Sequence, residues 1–250
     1  MKPTSQFSSK LPLNKPDFPA TAMIFAAGLG SRMRPLTDSV PKPLARVAGK
    51  ALIDYALDDL AQAGVKTAIV NVHHLADQIE AHLAGRESPH IVISDERELL
   101  LDQGGGIKRV LPHFGGKPFF ICNTDAFWSE AGAANLRALA GAWDADKMDA
   151  ALLLAPTAGS IGVDWDGDFD LGPEGRISQP AGPRRYVYSG VGIIKPDLFE
   201  YVSEDVFKLA PFFFNAAKQG RLFGVAAQGL WLHVGTVAAI AEAEKALLAA

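Results

Sequence analysis

Short apolar runs alternate with segments of helical periodicity along most of this chain, and that alternation leaves few folds open. Residues 22–25, 67–72, 90–94, 118–122 and 149–154 read as strands. Between them, residues 51–63 place Leu52, Ile53, Ala56, Leu57 and Leu60 at helical spacing, with Gly64 as the stop. Residues 75–83 repeat that spacing through Ile79 and Leu83, and residues 106–111 and 131–143 read as further helices. Strands separated by helices predict a mostly parallel sheet covered on both faces. Ligands of such sheets bind beyond the carboxyl ends of the strands, and the turns after Phe25 and after Cys122 both fall at that edge.

The first of these turns carries the chemistry. Ala26-Ala27-Gly28-Leu29-Gly30-Ser31 turns the chain sharply on two glycines and leaves backbone N–H groups bare. Arg32, Arg34 and Lys42 follow closely. Bare amides with cations just behind them suit a polyanion, most simply a nucleoside triphosphate. The Gly-Lys-Ser/Thr ending of a P-loop is absent. A dinucleotide fingerprint fails as well, because Met33 and a proline-rich stretch stand where a third small residue and a tight helix start are needed.

A chain of 250 residues can bury one full core, and residues 21–250 read as one domain behind a polar, mobile extension over 1–20. That extension has no apolar segment of signal-peptide type, and no stretch is long and apolar enough to span a bilayer. The net charge of −4 argues against a generally basic, nucleic-acid-binding surface. Cys122 is the single cysteine, so no intrachain disulfide can form; its Phe119-Phe120-Ile121 neighbours make it a buried strand residue, and a reducing, cytoplasmic compartment fits.

From about Gly159 the texture changes. Asp164, Asp166, Asp168 and Asp170 alternate with other residues, but a calcium loop starting at Asp164 would need a glutamate where Gly175 stands, so a two-stranded excursion with acidic turns is expected. Residues 186–194 read as a strand interrupted by Ser189-Gly190, 210–219 as a helix, 222–226 and 230–234 as a last strand pair, and 237–248 as a packed terminal helix. His73, His74 and His82 lack partners at ligand spacing and are read as capping or surface residues.

Gly28, Gly30, Arg32, Pro35, Leu36, Thr37, Pro41, Lys42 and Pro43 together fill the signature Gly-x-Gly-x-Arg-x-x-Pro-Leu-Thr followed by Pro-Lys-Pro. In this the chain resembles the sugar-1-phosphate nucleotidyltransferases from about Thr21 onward. Gly104-Gly105-Gly106-Ile107, the segment 207–211 and Val234-Gly235-Thr236 make it similar to the N-acetylmuramate-1-phosphate uridylyltransferases within that family. The resemblance implies an open, Rossmann-like α/β sheet of nucleotide-diphospho-sugar transferase type, with a small sugar-binding subdomain over about 156–230. It implies catalytic roles for Arg32 on the β- and γ-phosphates, Lys42 on the α-phosphate and Asp125 as a magnesium ligand, with manganese as the alternative ion. It also implies a nucleotide site of Ala26, Ala27, Gly28, Leu29, Gly30, Ser31, Gln103, Gly104, Gly105 and Asn123, the glycines letting a base edge approach the backbone. Tyr188, Ser189, Gly190 and Lys208 stand where the family holds the acceptor sugar.

Three departures keep alternatives open. His233 stands where the family has its second metal-binding aspartate, which leaves Asp125 alone, an Asp125–His233 pair for a softer ion, or impaired turnover. Gln103 replaces the usual threonine, and Ser178-Gln179-Pro180 replaces a Glu-Lys-Pro sugar motif. The resemblance thus implies UTP and N-acetylmuramate 1-phosphate as substrates of a monomer or weak homo-oligomer. GTP with mannose 1-phosphate is the alternative pair, and a non-catalytic nucleotide or sugar-phosphate sensor the alternative class.

Overall fold

A computed structural model describes residues 18–178 and 184–249. Its strands are β1 (Thr21–Phe25), β2 (Arg46–Val47), β3 (Lys50–Ala51), β4 (Thr67–Val72), β5 (His90–Asp95), β6 (Phe119–Asn123), β7 (Ala126–Trp128), β8 (Ala150–Pro156), β9 (Tyr186–Ile194), β10 (Leu222–Ala226) and β11 (Trp231–His233). The helices are α1 (Leu52–Ala63), α2 (Ala76–Leu83), α3 (Asp102–Val110), α4 (Gly132–Ala142), α5 (Ala210–Lys218) and α6 (Val237–Ala249). Seven strands form one sheet in the order β10-β8-β9-β6-β1-β4-β5. All neighbours run parallel except β9, which is antiparallel to both β8 and β6. The mostly parallel α/β sheet expected from the alternation is therefore the observed one.

Strand pleating sorts the core into layers. Ala22 and Ile24 of β1 face a cluster that includes Leu57 and Leu60 of α1, Ile79 of α2 and Leu136 and Leu139 of α4. Met23, between them, faces the opposite cluster with Ile107 of α3 and Phe213 of α5. A third cluster joins Met33, Leu52, Phe127, Leu232 and Val234 to Ala239 and Ala243 of α6. Helix α1 stops where expected: Gly64 takes φ +113° and its N–H donates to the Leu60 and Ala61 carbonyls. Cys122 is buried, and burial pushes its thiol up to about 12.

Several sequence expectations are corrected. Residues 222–226 and 230–234 do not pair with each other: β10 extends the main sheet beside β8, while β11 pairs with the three-residue β7. Helix α3 begins at Asp102, not Gly106, so the glycine triplet lies inside it. Strand β9 is continuous from Tyr186 to Ile194, but its register against β8 slips at the expected Ser189-Gly190 position: the Leu152–Gly192 pair is followed by Leu154–Tyr188, with Gly190 at φ +87°. Strands β9 and β10 belong to the central sheet, so the expected sugar-binding stretch of about 156–230 contributes two of its strands. Between Pro156 and Tyr186 the described residues form isolated bridges, such as Leu171 to Ile177, rather than the expected strand pair. Residues 1–17 of the expected extension over 1–20, and Gln179 and Pro180, lie outside the described residues.

Candidate active site

A cleft of about 540 Å³ opens at the carboxyl ends of β1 and β6. Ala26, Ala27, Gly28, Gly30, Ser31, Arg32 and Lys42 line one wall, Asn123, Thr124 and Asp125 the floor, and Leu100, Asp102, Gln103 and Val206 the far side. The glycine loop, both cations and the acid after β6 thus converge on one cavity. Leu29 is 45% exposed and does not line it.

Gly30 explains the shape of the loop. Its φ is +62°, and its carbonyl accepts from Met33 N–H at 2.8 Å and Thr37 Oγ1 at 2.9 Å. A Cβ there would lie 2.8 Å from Thr37 Cγ2 and 3.0 Å from Lys42 Cβ. Only a bare Cα lets the Pro41-Lys42-Pro43 turn pack under the loop. Lys42 Nζ then reaches Asp125 Oδ2 at 2.8 Å. Arg32 is exposed in the cleft wall, whereas Arg34 pairs with Asp38 at 3.3 Å outside it.

Asp125 owes its place to the β7–β11 pair, where His233 is opposite Ala126 and Val234 N–H donates to the Asp125 carbonyl at 2.7 Å. His233 Nε2 lies 3.8 Å from Asp125 Oδ2. Its Nδ1 is 3.1 Å from the Gly162 carbonyl, which can only accept, so Nδ1 carries a hydrogen and Nε2 faces the carboxylate. The ring stacks on Trp231 and meets Trp165 edge-on. Burial pushes the Asp125 carboxyl up, but His233 and Lys42 outweigh it and hold the group well below the usual carboxylate range.

These groups fit a divalent ion. His233 would offer Nε2 to an ion beside a carboxylate, with its other ring nitrogen fixed by a backbone carbonyl, as ligating histidines commonly are. Among the described residues no three His, Cys, Asp or Glu side chains gather as a metal cluster. Such an ion would therefore take its remaining ligands from phosphate oxygens and water, the usual habit of magnesium. The acidic run likewise forms no cluster: Asp168 accepts from Trp165 Nε1 and Tyr188 N–H. His73 and His74 bond to the Glu96 and Thr37 carbonyls, and His82 to Asp54.

The glycine triplet does not lie open to the cleft. Gly104 and Gly105 both donate N–H to the Phe207 carbonyl, at 3.0 and 3.3 Å. A Cβ at Gly104 would collide with the Phe207 ring, and one at Gly105 with the Asp205 carbonyl. Their bareness seats residues 205–207 on α3, which presents Val206 to the cleft. Asp102 and Gln103, rather than these two glycines, line the cleft, and Gln103 donates from Nε2 to Asn123 Oδ1 at 3.0 Å.

The expected sugar residues also lie apart from the cleft wall. Ser189 is buried and donates to the Leu153 carbonyl at 2.7 Å. Gly190 takes φ +87° and lets β9 abut Asn123, whose Cβ would stand 2.8 Å from a Cβ at 190. The Tyr188 ring packs on Phe213, and its buried hydroxyl has no hydrogen-bond partner among the described residues. Lys208 is exposed.

Two buried polar residues escaped the sequence reading. Asn71 Oδ1 accepts from Ala26 N–H at 2.8 Å and Ala27 N–H at 3.3 Å, while its Nδ2 donates to Glu96 Oε1 at 2.9 Å. Glu96 is fully buried and also accepts from Leu101 N–H at 3.2 Å. Burial pushes its carboxyl up despite these bonds. The signal for Asn71 was one amide in an otherwise apolar strand; Glu96 was hidden in the charged run 95–98.

A glycine turn on a parallel sheet, with arginine, lysine and aspartate around one cleft, defines a nucleotidyltransferase class of protein. Residues 22–161 match the MobA-like NTP transferase domain, and the chain belongs to that family. It is 47% identical over 235 residues to N-acetylmuramate alpha-1-phosphate uridylyltransferase of Caulobacter vibrioides, covering 92% of this chain and 97% of that one. The protein of that name from Neisseria meningitidis is 37% identical over 227 residues, 89% and 96% of the two chains. Among solved structures, the inositol-1-phosphate CTP transferase of T. maritima superposes with a TM-score of 0.73 at 18% identity, over 92% of this chain and 96% of that one. UDP-glucose pyrophosphorylase bound to UDP-glucose gives 0.71 at 19% identity, over 92% and 99%. These likenesses share the fold. No helix among the described residues is long and apolar enough to cross a membrane.

Proposed function

We propose that this protein transfers the uridylyl group of UTP to N-acetylmuramate 1-phosphate and releases pyrophosphate. A phosphate oxygen of the sugar 1-phosphate attacks the α-phosphorus, and the bond from that phosphorus to the bridging oxygen of pyrophosphate breaks. The attacking group is already an anion near neutral pH, so the protein needs no general base. Its task is to bring several anions into line and to offset their charge. Backbone amides of the turn from Gly28 to Ser31 bind the polyphosphate, Arg32 forks onto the leaving β- and γ-phosphates, and Lys42 meets the α-phosphate where charge builds. Asp125 and His233 hold magnesium, or manganese, which when bound offsets charge on the phosphates.

The observation that carries this reading is the convergence of Arg32, Lys42 and Asp125 on one cleft beside the glycine turn. The near full-length identity to the Caulobacter enzyme supports the choice of UTP and of N-acetylmuramate 1-phosphate. A cytoplasmic role in cell-wall recycling, returning a peptidoglycan amino sugar to the nucleotide-sugar pool, follows from that choice. The test is pyrophosphate release from each of the four nucleoside triphosphates against a panel of sugar 1-phosphates. UTP with N-acetylmuramate 1-phosphate is expected to be fastest. Release confined to GTP with mannose 1-phosphate would overturn the assignment.

A further inference from the structure

Ala26 and Ala27 line the nucleotide cleft, yet their amides already donate to Asn71 Oδ1. The loop's path is therefore set by a side chain on the neighbouring strand β4. A carboxamide alone sets it poorly, because Asn71 could rotate and present Nδ2 to those two donors. Glu96 removes that freedom. An ionised carboxylate only accepts, so it selects the rotamer with Nδ2 toward Oε1 and Oδ1 toward the loop. Its other oxygen holds Leu101 N–H, just ahead of Asp102 and Gln103 on the far side of the cleft.

Gly106 makes room for the pair: a Cβ there would stand 2.9 Å from Glu96 Oε1 and 3.1 Å from Asn71 Nδ2. Glu96 N–H donates to the Val72 carbonyl at 2.8 Å, and its own carbonyl lies 2.7 Å from His73 Nδ1, so the residue is pinned at the ends of β4 and β5. We infer that Asn71 and Glu96 are a positioning pair that fixes both walls of the nucleotide cleft, the ionised Glu96 acting as a double acceptor that orients Asn71. This rests on reading the cleft as a nucleoside triphosphate site.

The pattern of donors and acceptors sets the test. In Glu96→Gln one amide hydrogen must face either Leu101 N–H or Asn71 Nδ2, donor against donor. In Asn71→Asp two carboxylates face each other. The double variant Asn71→Asp/Glu96→Gln satisfies every bond again. One oxygen of the carboxylate now at position 71 accepts from the loop, and the other accepts from the amide nitrogen now at position 96. The amide oxygen at 96 in turn accepts from Leu101 N–H. Shape and net charge are those of the starting protein.

The four proteins are compared at pH 8 by calorimetric titration with UTP and by KM for each substrate. Each single variant is expected to bind UTP at least about tenfold more weakly, with the double variant within about threefold of wild type. KM for the sugar phosphate moves little, which separates positioning of the nucleotide from general loosening. Single variants that bind UTP like wild type refute the inference, and so does a folded double variant no tighter than the singles. If a single variant fails to fold, the double variant decides alone, and its own failure to fold refutes the pairing. A wild-type protein that binds no nucleoside triphosphate sinks the cleft reading and this inference with it.

Discussion

Lys42→Met offers a sharp perturbation of the site. The lysine side chain is 13% exposed and its ammonium sits 2.8 Å from Asp125 Oδ2, so methionine keeps the packing stem and deletes only the charge. A cation about 4 Å from charge growing on a phosphate is worth about 4 kcal/mol at an effective dielectric of about 20. Asp125, with opposite charge on the same ammonium, cancels part of that. About 3 kcal/mol remains, or roughly two decades of rate. Steady-state pyrophosphate release at saturating UTP and sugar phosphate should fall about a hundredfold. Stability should fall by only about 1 kcal/mol, because Asp125 retains solvent contact and His233 beside it. That stability comes from a depressed carboxyl pKa, so it is present above the ordinary value of about 3.9 and lost as pH falls below it; the two proteins converge in acid. A variant keeping more than about a tenth of wild-type kcat would refute the role given to Lys42.

Gly30→Ala should cost about 2–4 kcal/mol in urea unfolding, the sum of a left-handed backbone and a Cβ pressed on Thr37 and Lys42; a loss under about 1 kcal/mol would show that the loop yields. Asp59, set against the start of α4 and accepting from Ala133 N–H, has its carboxyl raised by burial from 3.8 to about 6. The fold therefore favours the neutral acid, and the cost of ionising it is absent below 3.8 and complete above about 6. Asp59→Asn should melt higher than wild type at pH 8, by about 1 kcal/mol after solvent screening, and alike at pH values near or below about 3.5; a constant offset would exclude Asp59 as the source. Chelation should abolish pyrophosphate release, with manganese restoring wild type at least as well as magnesium. His233→Asp should shift that preference toward magnesium, and an unchanged ratio would remove His233 from the ion's surroundings.

The convergence of the glycine turn and its cations on one cleft was legible because the pattern is local: two glycines, an arginine and a lysine lie within fifteen consecutive residues, Gly28 to Lys42. The sheet was legible for the same reason, since each strand and helix announces its own period. Long-range pairings were not. Nothing in Ala126-Phe127-Trp128 tells so short a strand to pair with Trp231-Leu232-His233, more than a hundred residues away. The glycines of α3 misled because bareness has two uses, approach of a ligand or approach of the chain itself, and Phe207 shows the second. Glu96 could not be told from its solvated neighbours Asp95, Arg97 and Glu98 until Asn71 gave it a partner.

The reversed direction of β9 has a consequence for how this architecture diversifies. Because β9 runs against β8, Pro156 and Tyr186 are register partners, so β8 ends and β9 begins at neighbouring points with 29 residues of sequence between them. A segment with anchored, adjacent ends can be lengthened, trimmed or exchanged at a loop-closure cost that grows only with the logarithm of its length. Descendants could thus refit this appendage while the glycine turn that lines the cleft, on a strand beyond β9 and β6, is inherited unchanged.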